Sequence, residues 1–159
     1  MTTYAKTIVT PDQINFYNEN GYILFEKLID EETLEALRVE TDRVVAEAAE
    51  LTEHNAQYDL EDSHSVSDPR VRRLKSPSQN WPFFWDLVKY QPVLDVVEAL
   101  IGTDIRLQND KLNMKSAQFG AAVEWHQDWP FYPHTNDDLL SAGILLDDCY
   151  EENGPLLVI

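Results

Sequence analysis

The sequence predicts an α+β protein, and three observations carry that reading. Helical periodicity with recognisable caps fills the chain up to Gly102, strand-like apolar runs follow it, and helices grouped ahead of strands mark α+β rather than alternating α/β architecture. The 159 residues suit a single domain, with a helical part over about 10–102 and strands over about 103–159. A hydrophobic share of 43% is enough to build a packed core.

The first helix opens at Thr10-Pro11-Asp12-Gln13. Thr10 is placed to cap, Pro11 fits the first helical position, where its missing N–H costs nothing, and Gln13 completes a capping box. Ile14, Phe16 and Tyr17 follow, and Gly21 ends the helix. Tyr22-Ile23-Leu24-Phe25 reads as a short buried strand. Asp30 caps a second helix, in which Leu34, Leu37, Val44, Val45, Ala48 and Leu51 recur at helical spacing with Glu and Arg on the outer side.

From His54 to Ser78 the periodicity fails and Asp, Ser, His and Pro accumulate, which predicts a long surface loop with His54 and His64 exposed. It ends in the chain's one basic cluster, Arg70, Arg72, Arg73 and Lys75, which is expected to pair with Asp59, Glu61 and Asp62. Trp81-Pro82-Phe83-Phe84-Trp85 reads as a set of core anchors, followed by a helix from Pro92 through Val93, Val96, Val97 and Leu100 to Gly102. Strands are then predicted at 105–115, 122–125, 139–146 and 155–159, the last launched by the turn Glu152-Asn153-Gly154-Pro155. Leu156-Leu157-Val158-Ile159 has no polar residues after it, so the chain is expected to be a C-terminally truncated piece of a larger fold.

Charge narrows the function. With 29 acidic and 12 basic residues the net charge is −17, which disfavours nucleic acid and anionic membranes, since both are held by Lys and Arg against phosphate. No apolar run approaches the roughly 18 residues that span a bilayer, and the N-terminus carries no secretory signature, so a cytoplasmic protein is expected. The single cysteine, Cys149, sits among acidic residues and reads as a small core or rim residue rather than a nucleophile.

The densest chemistry is Trp125-His126-Gln127-Asp128-Trp129. In a strand, residues two apart point to one side, so an extended backbone would aim His126 and Asp128 at a common point. An imidazole and a carboxylate so arranged suit a divalent first-row metal; with a second histidine they make the facial triad of non-haem iron oxygenases, which keeps positions open for co-substrate and O₂. Alone, a His-x-Asp is a weak signal, since such pairs occur by chance in many chains and are more often surface hydrogen-bonded pairs.

Its surroundings sharpen it. Phe16-Tyr17-Asn18-Glu19-Asn20-Gly21-Tyr22 with Leu28-Ile29-Asp30, then Lys111-Leu112-Asn113-Met114-Lys115, then the tryptophan-flanked His126-Gln127-Asp128, then Leu145-Leu146-Asp147-Asp148 with Glu152-Asn153-Gly154, run in an order that resembles the phytanoyl-CoA dioxygenase family of Fe(II)/2-oxoglutarate oxygenases. The resemblance implies helices packed on a double-stranded β-helix (a cupin-like jelly roll), with its core starting at about residue 103 and incomplete at the C-terminus. It implies Fe(2+) and 2-oxoglutarate as cofactors, hydroxylation of a small molecule with O₂, and His126 and Asp128 as two metal ligands. Lys111 and Asn113 match the strand that helps line the co-substrate pocket, where an ammonium and an amide could both donate to a carboxylate. Outward exposure on a strand face is the competing account of Lys111 and Lys115. Trp129, Phe131 and Tyr132 are expected to wall the substrate pocket.

The chain also departs from the family pattern. His134 is its last histidine and Arg106 its last arginine, so neither a distal iron-binding histidine nor the arginine that clasps the far carboxylate of 2-oxoglutarate is present. His134 reads as a surface-loop residue. The chain by itself is therefore expected to be inactive, and a non-catalytic or differently metallated binding module of the same fold is the alternative.

Overall fold

The computed structural model describes residues 6–120, 122–132 and 134–159. Its first helix, α1 (Pro11–Asn20), starts and stops where the sequence places it. The Thr10 hydroxyl accepts from the Gln13 amide at 3.2 Å and the Gln13 side chain accepts from the Thr10 amide at 2.9 Å. Gly21 then takes a left-handed φ of 78°, a conformation that glycine adopts without a side-chain clash.

Helix α2 (Glu31–Glu47) is capped by Asp30, which accepts from Thr33 N–H at 2.7 Å and from the Tyr90 hydroxyl at 2.8 Å. These bonds hold the Asp30 carboxyl below its ordinary range, the Thr33 amide contributing most. The helix buries Leu37, Thr41 and Val44 as one stripe. Further along, α3 (Pro77–Asn80), α4 (Pro82–Val88) and α5 (Gln91–Ile101) follow one another closely, with proline in the first turn of each. Trp81 and Phe84 are buried core anchors as expected, whereas Trp85 faces outward with the Lys89 ammonium 5.4 Å from its ring centre.

Three short strands form one antiparallel sheet in the order β1 (Tyr58–Leu60), β2 (Val71–Lys75), β3 (Lys111–Asn113). Two of them lie inside the stretch expected to be loop, and the physical reason is cross-strand pairing. Tyr58 faces Leu74 and Leu74 faces Leu112, all toward the core, while Asp59, Arg73 and Asn113 line up on the opposite face. Asp59 therefore meets Arg73 at 3.7 Å and Lys75 at 3.0 Å, which is the pairing expected of the basic cluster in strand form. Arg70 turns elsewhere, pairing with Asp68 and stacking 4.0 Å from the centre of the Phe119 ring.

One core joins α2, the sheet and α4. Leu37, Val44, Ala48, Tyr58, Leu60, Val71, Leu74, Trp81 and Phe84 are its buried members, with Ile144 and Leu146 packed against it from far along the chain. The Tyr58 hydroxyl donates to the Val44 carbonyl at 3.0 Å, and burial, reinforced by nearby Glu47, pushes its pKa up to about 12.

Several expectations are corrected. Residues 22–25 form no strand, and Leu24 is exposed beside a turn at 26–27. Of the strands expected after Gly102, only 111–113 pairs; the described residues of 122–125, and 139–146 and 155–159, are irregular, because an apolar run becomes a strand only where a neighbour supplies ladder hydrogen bonds. His64 is half-buried rather than exposed: its Nδ1 accepts from Arg70 N–H at 2.9 Å and its Nε2 donates to the Leu51 carbonyl at 2.8 Å. His54 is exposed as expected, yet its Nδ1 accepts from Leu60 N–H at 3.0 Å. Cys149 is exposed, which removes the core half of its core-or-rim expectation. No helix among the described residues is long and apolar enough to cross a membrane.

Candidate metal centre

His126 and Asp128 lie in the segment between the core and a short 3-10 turn, Trp129–Phe131. Asp128 caps that turn with helical backbone angles, φ −70° and ψ −36°, so the two side chains converge by a turn and not by the strand alternation the sequence suggested. They do converge: Nε2 of His126 stands 3.5 Å from Oδ1 of Asp128.

Among the described residues each of the two groups makes a further hydrogen bond. The Nδ1 of His126 lies 2.7 Å from the Glu124 carbonyl, which can only accept, so Nδ1 donates there and Nε2 is the nitrogen turned toward Asp128. The second oxygen of Asp128 accepts a hydrogen bond from the Ser141 hydroxyl. Donor chemistry and spacing fit a divalent metal. Neighbouring ligands on an octahedral first-row ion stand roughly 3 Å apart with bonds of about 2.1 Å, and a small side-chain rotation covers the difference.

The predicted pocket residues fall into two groups. Phe131 sets its edge to the His126 ring, centres 6.1 Å apart at 82°, and the Trp129 indole N–H donates to the Asn136 carbonyl at 3.0 Å, closing the loop on itself. Phe131 is 69% exposed, Trp129 is exposed and Tyr132 half-buried. Lys111 and Asn113 share the outer face of β3, where Asn113 Oδ1 accepts from Arg73 Nε at 2.9 Å. Taking its oxygen into that bond leaves the Asn113 amide nitrogen as the end that can donate to a carboxylate.

Among the described residues no third His, Cys, Asp or Glu joins His126 and Asp128. His134, half-buried, lies outside the pair. A surface recess of about 400 Å³ lined by Asp12, Gln13, Phe16, Tyr22, Ile23 and Leu24 contains none of the predicted site residues.

Sequence reasoning missed Ser141 and the Glu124 carbonyl. The second carries no side-chain signal at all. The first had a faint one, as the only hydroxyl in the apolar run 139–146. It also missed Arg38, whose guanidinium donates from Nε at 2.8 Å and from Nη2 at 2.5 Å to the Leu146 carbonyl and so moors the segment bearing Ser141 to α2.

Comparison with known proteins follows the same stretch of chain. The sequence profile of the family described as "Phytanoyl-CoA dioxygenase (PhyH)" matches residues 17–159. A Stutzerimonas stutzeri protein named "Probable alpha-ketoglutarate-dependent hypophosphite dioxygenase" is 33% identical over 145 residues, covering 91% of this chain and 50% of that one. The ectoine dioxygenase of Bordetella bronchiseptica is 25% identical over 159 residues, covering 95% and 48%. The L-proline trans-4-hydroxylase of Streptomyces griseoviridis is 40% identical over 77 residues, covering 46% and 29%. The chain spans about half the length of the first two.

Proposed function

The chain belongs to the phytanoyl-CoA dioxygenase family, and from that premise we propose that it carries the iron-binding portion of an Fe(II)/2-oxoglutarate-dependent dioxygenase that hydroxylates a small organic molecule. The observation that carries the reading is the His126–Asp128 pair, held 3.5 Å apart with the imidazole proton committed to a main-chain carbonyl.

On this reading His126 Nε2 and Asp128 Oδ1 hold the metal. Iron with 2-oxoglutarate, when bound, supplies the O₂ activation and hydroxylation chemistry that no side chain can. The protein's own residues hold and orient. The Asn113 amide N–H and the Lys111 ammonium donate to a co-substrate carboxylate, and Trp129, Phe131 and Tyr132 wall the substrate space and shed water from it. The net charge of −17 adds a negative potential that favours a divalent cation. The double-stranded β-helix, the distal histidine and the co-substrate arginine belong to the whole protein in this proposal.

The test is Fe(II) content after anaerobic loading. His126→Ala and Asp128→Ala are each expected to lose the metal while keeping the wild-type circular dichroism spectrum, and wild-type iron content in either variant overturns the assignment. With two protein ligands, the 159-residue chain is expected to release no succinate from 2-oxoglutarate above a metal-only control. Sustained release would locate a third ligand within these residues.

A further inference from the structure

We propose that Ser141 is a positioning residue for the metal-binding carboxylate: its hydroxyl occupies Oδ2 of Asp128 and thereby reserves Oδ1 for a metal ion shared with Nε2 of His126. The inference rests on the reading of His126 and Asp128 as metal ligands and adds how the carboxylate is aimed.

An ionised carboxylate has two oxygens and about four lone-pair sites, so it can hold a metal through one oxygen or through both. In this structure the two oxygens are distinguished. Oδ1 faces Nε2 of His126 across 3.5 Å, and Oδ2 accepts from Ser141. Occupied in this way, Oδ2 is held away from the ion, and the carboxylate is left to bind through one oxygen. A ligand committed to one position keeps others open for two co-substrate atoms and O₂. His126 is treated in parallel: its Nδ1–H donates to the Glu124 carbonyl at 2.7 Å. Both ligands thus have one outer partner fixing their orientation, the arrangement by which proteins tune metal sites.

Ser141 can do this because of where it is moored. Asp128 sits in a largely exposed loop, thirteen residues away in sequence. Beyond Ser141 the chain continues to Ile144 and Leu146, which pack on the core, and to the Leu146 carbonyl gripped by Arg38 of α2. The hydroxyl therefore ties an exposed ligand to the rigid part of the fold. A serine that merely closed a loop would leave the metal's affinity and the carboxylate's binding mode indifferent to its removal.

The experiment titrates Mn(II) into the protein, following the loss of the free-ion signal by electron paramagnetic resonance, and records carboxylate stretches of the Mn(II)-loaded protein by infrared difference spectroscopy. Ser141→Ala is expected to weaken Mn(II) binding about tenfold. It is also expected to narrow the splitting between antisymmetric and symmetric carboxylate bands as Oδ2 joins the ion. Ser141→Thr, which keeps the hydroxyl, restores both. Ser141 is exposed, so the thermal unfolding midpoint stays at the wild-type value in each. If His126→Ala and Asp128→Ala lose Mn(II) while Ser141→Ala binds it like wild type with unchanged splitting, the role of Ser141 is overturned and the metal pair stands. If His126→Ala and Asp128→Ala themselves bind like wild type, the metal reading fails first. A Ser141→Thr variant as weak as Ser141→Ala also overturns the proposal, because the hydroxyl would then not be the agent.

Discussion

Residues 31–113 and residues 116–159 are built on different principles. The earlier region closes a core in which Val44, Ala48 and Leu74 have no exposed surface, and its charges are arranged in pairs such as Asp59 with Arg73 and Lys75. The later one has eight carboxylates, no lysine or arginine, and apolar side chains such as Trp125 and Leu145 facing outward. Stability is concentrated in the first and the candidate chemistry in the second. The structure accordingly separates a closed, rigid core from an open segment that, on the proposed function, would receive a cation and a substrate, and side-chain ties such as Arg38 to the Leu146 carbonyl join the two.

The sharpest way to break this contrast is to truncate the core. Leu74→Ala is expected to lower unfolding free energy by about 2–5 kcal/mol, whereas Leu156→Ala, at a side chain 83% exposed, should stay within about 0.5 kcal/mol. Equal effects in urea titrations would mean that the later region is folded on the same footing. A smaller change probes the junction. His64→Leu removes the bridge from Arg70 to Leu51 and is expected to cost about 1–3 kcal/mol, and His64→Gln, whose amide can both accept and donate, should recover part of it. The same loss in both variants would show that ring packing, not hydrogen bonding, is what His64 provides.

The cap of α2 gives a third, pH-dependent reading. Asp30→Ala is expected to cost about 1 kcal/mol near neutral pH. Because the folded-state pKa of Asp30 is depressed below 3.8, its stabilisation is present above the unfolded-state value and lost as pH falls through the folded one. The wild-type advantage should therefore begin to shrink as pH falls into the ordinary Asp range and continue to shrink below it. A constant advantage down to pH 2 would remove the charge from the explanation. Least in magnitude is Lys75→Ala, which breaks a partly exposed pair with Asp59 and should cost no more than about 1 kcal/mol.

The same division explains what could be read in advance. Thr10 with Gln13, Gly21, Asp30 and the Leu37–Val44 stripe are local signals, decided within a few residues, and each appears where expected. The β1–β2 pair was hidden because Tyr58 and Leu74 are sixteen residues apart, and their intervening polar residues carry no period of their own. Residues 139–146 misled in the opposite direction, since their apolar run reports burial against the core at Ile144 and Leu146 without naming a strand partner. At the candidate site, His126 and Asp128 were legible as a spacing, but the turn that joins them and the Ser141 hydroxyl that aims one of them are tertiary facts.

The fork of Arg38 on Leu146 spans 108 positions of sequence. Closing so long a segment carries an entropic charge of about 4 kcal/mol from its length-dependent part alone. That cost falls to little once α2, the sheet and α4 have already brought the ends near. The mooring of the segment that bears Ser141 is thus a late event in folding, conditional on the helices and hairpin being in place, and under the proposed function chain that has not yet folded would present no organised place for iron to lodge. In pulse-labelled hydrogen exchange, amides around residues 144–146 should gain protection after those of Leu37 and Leu74.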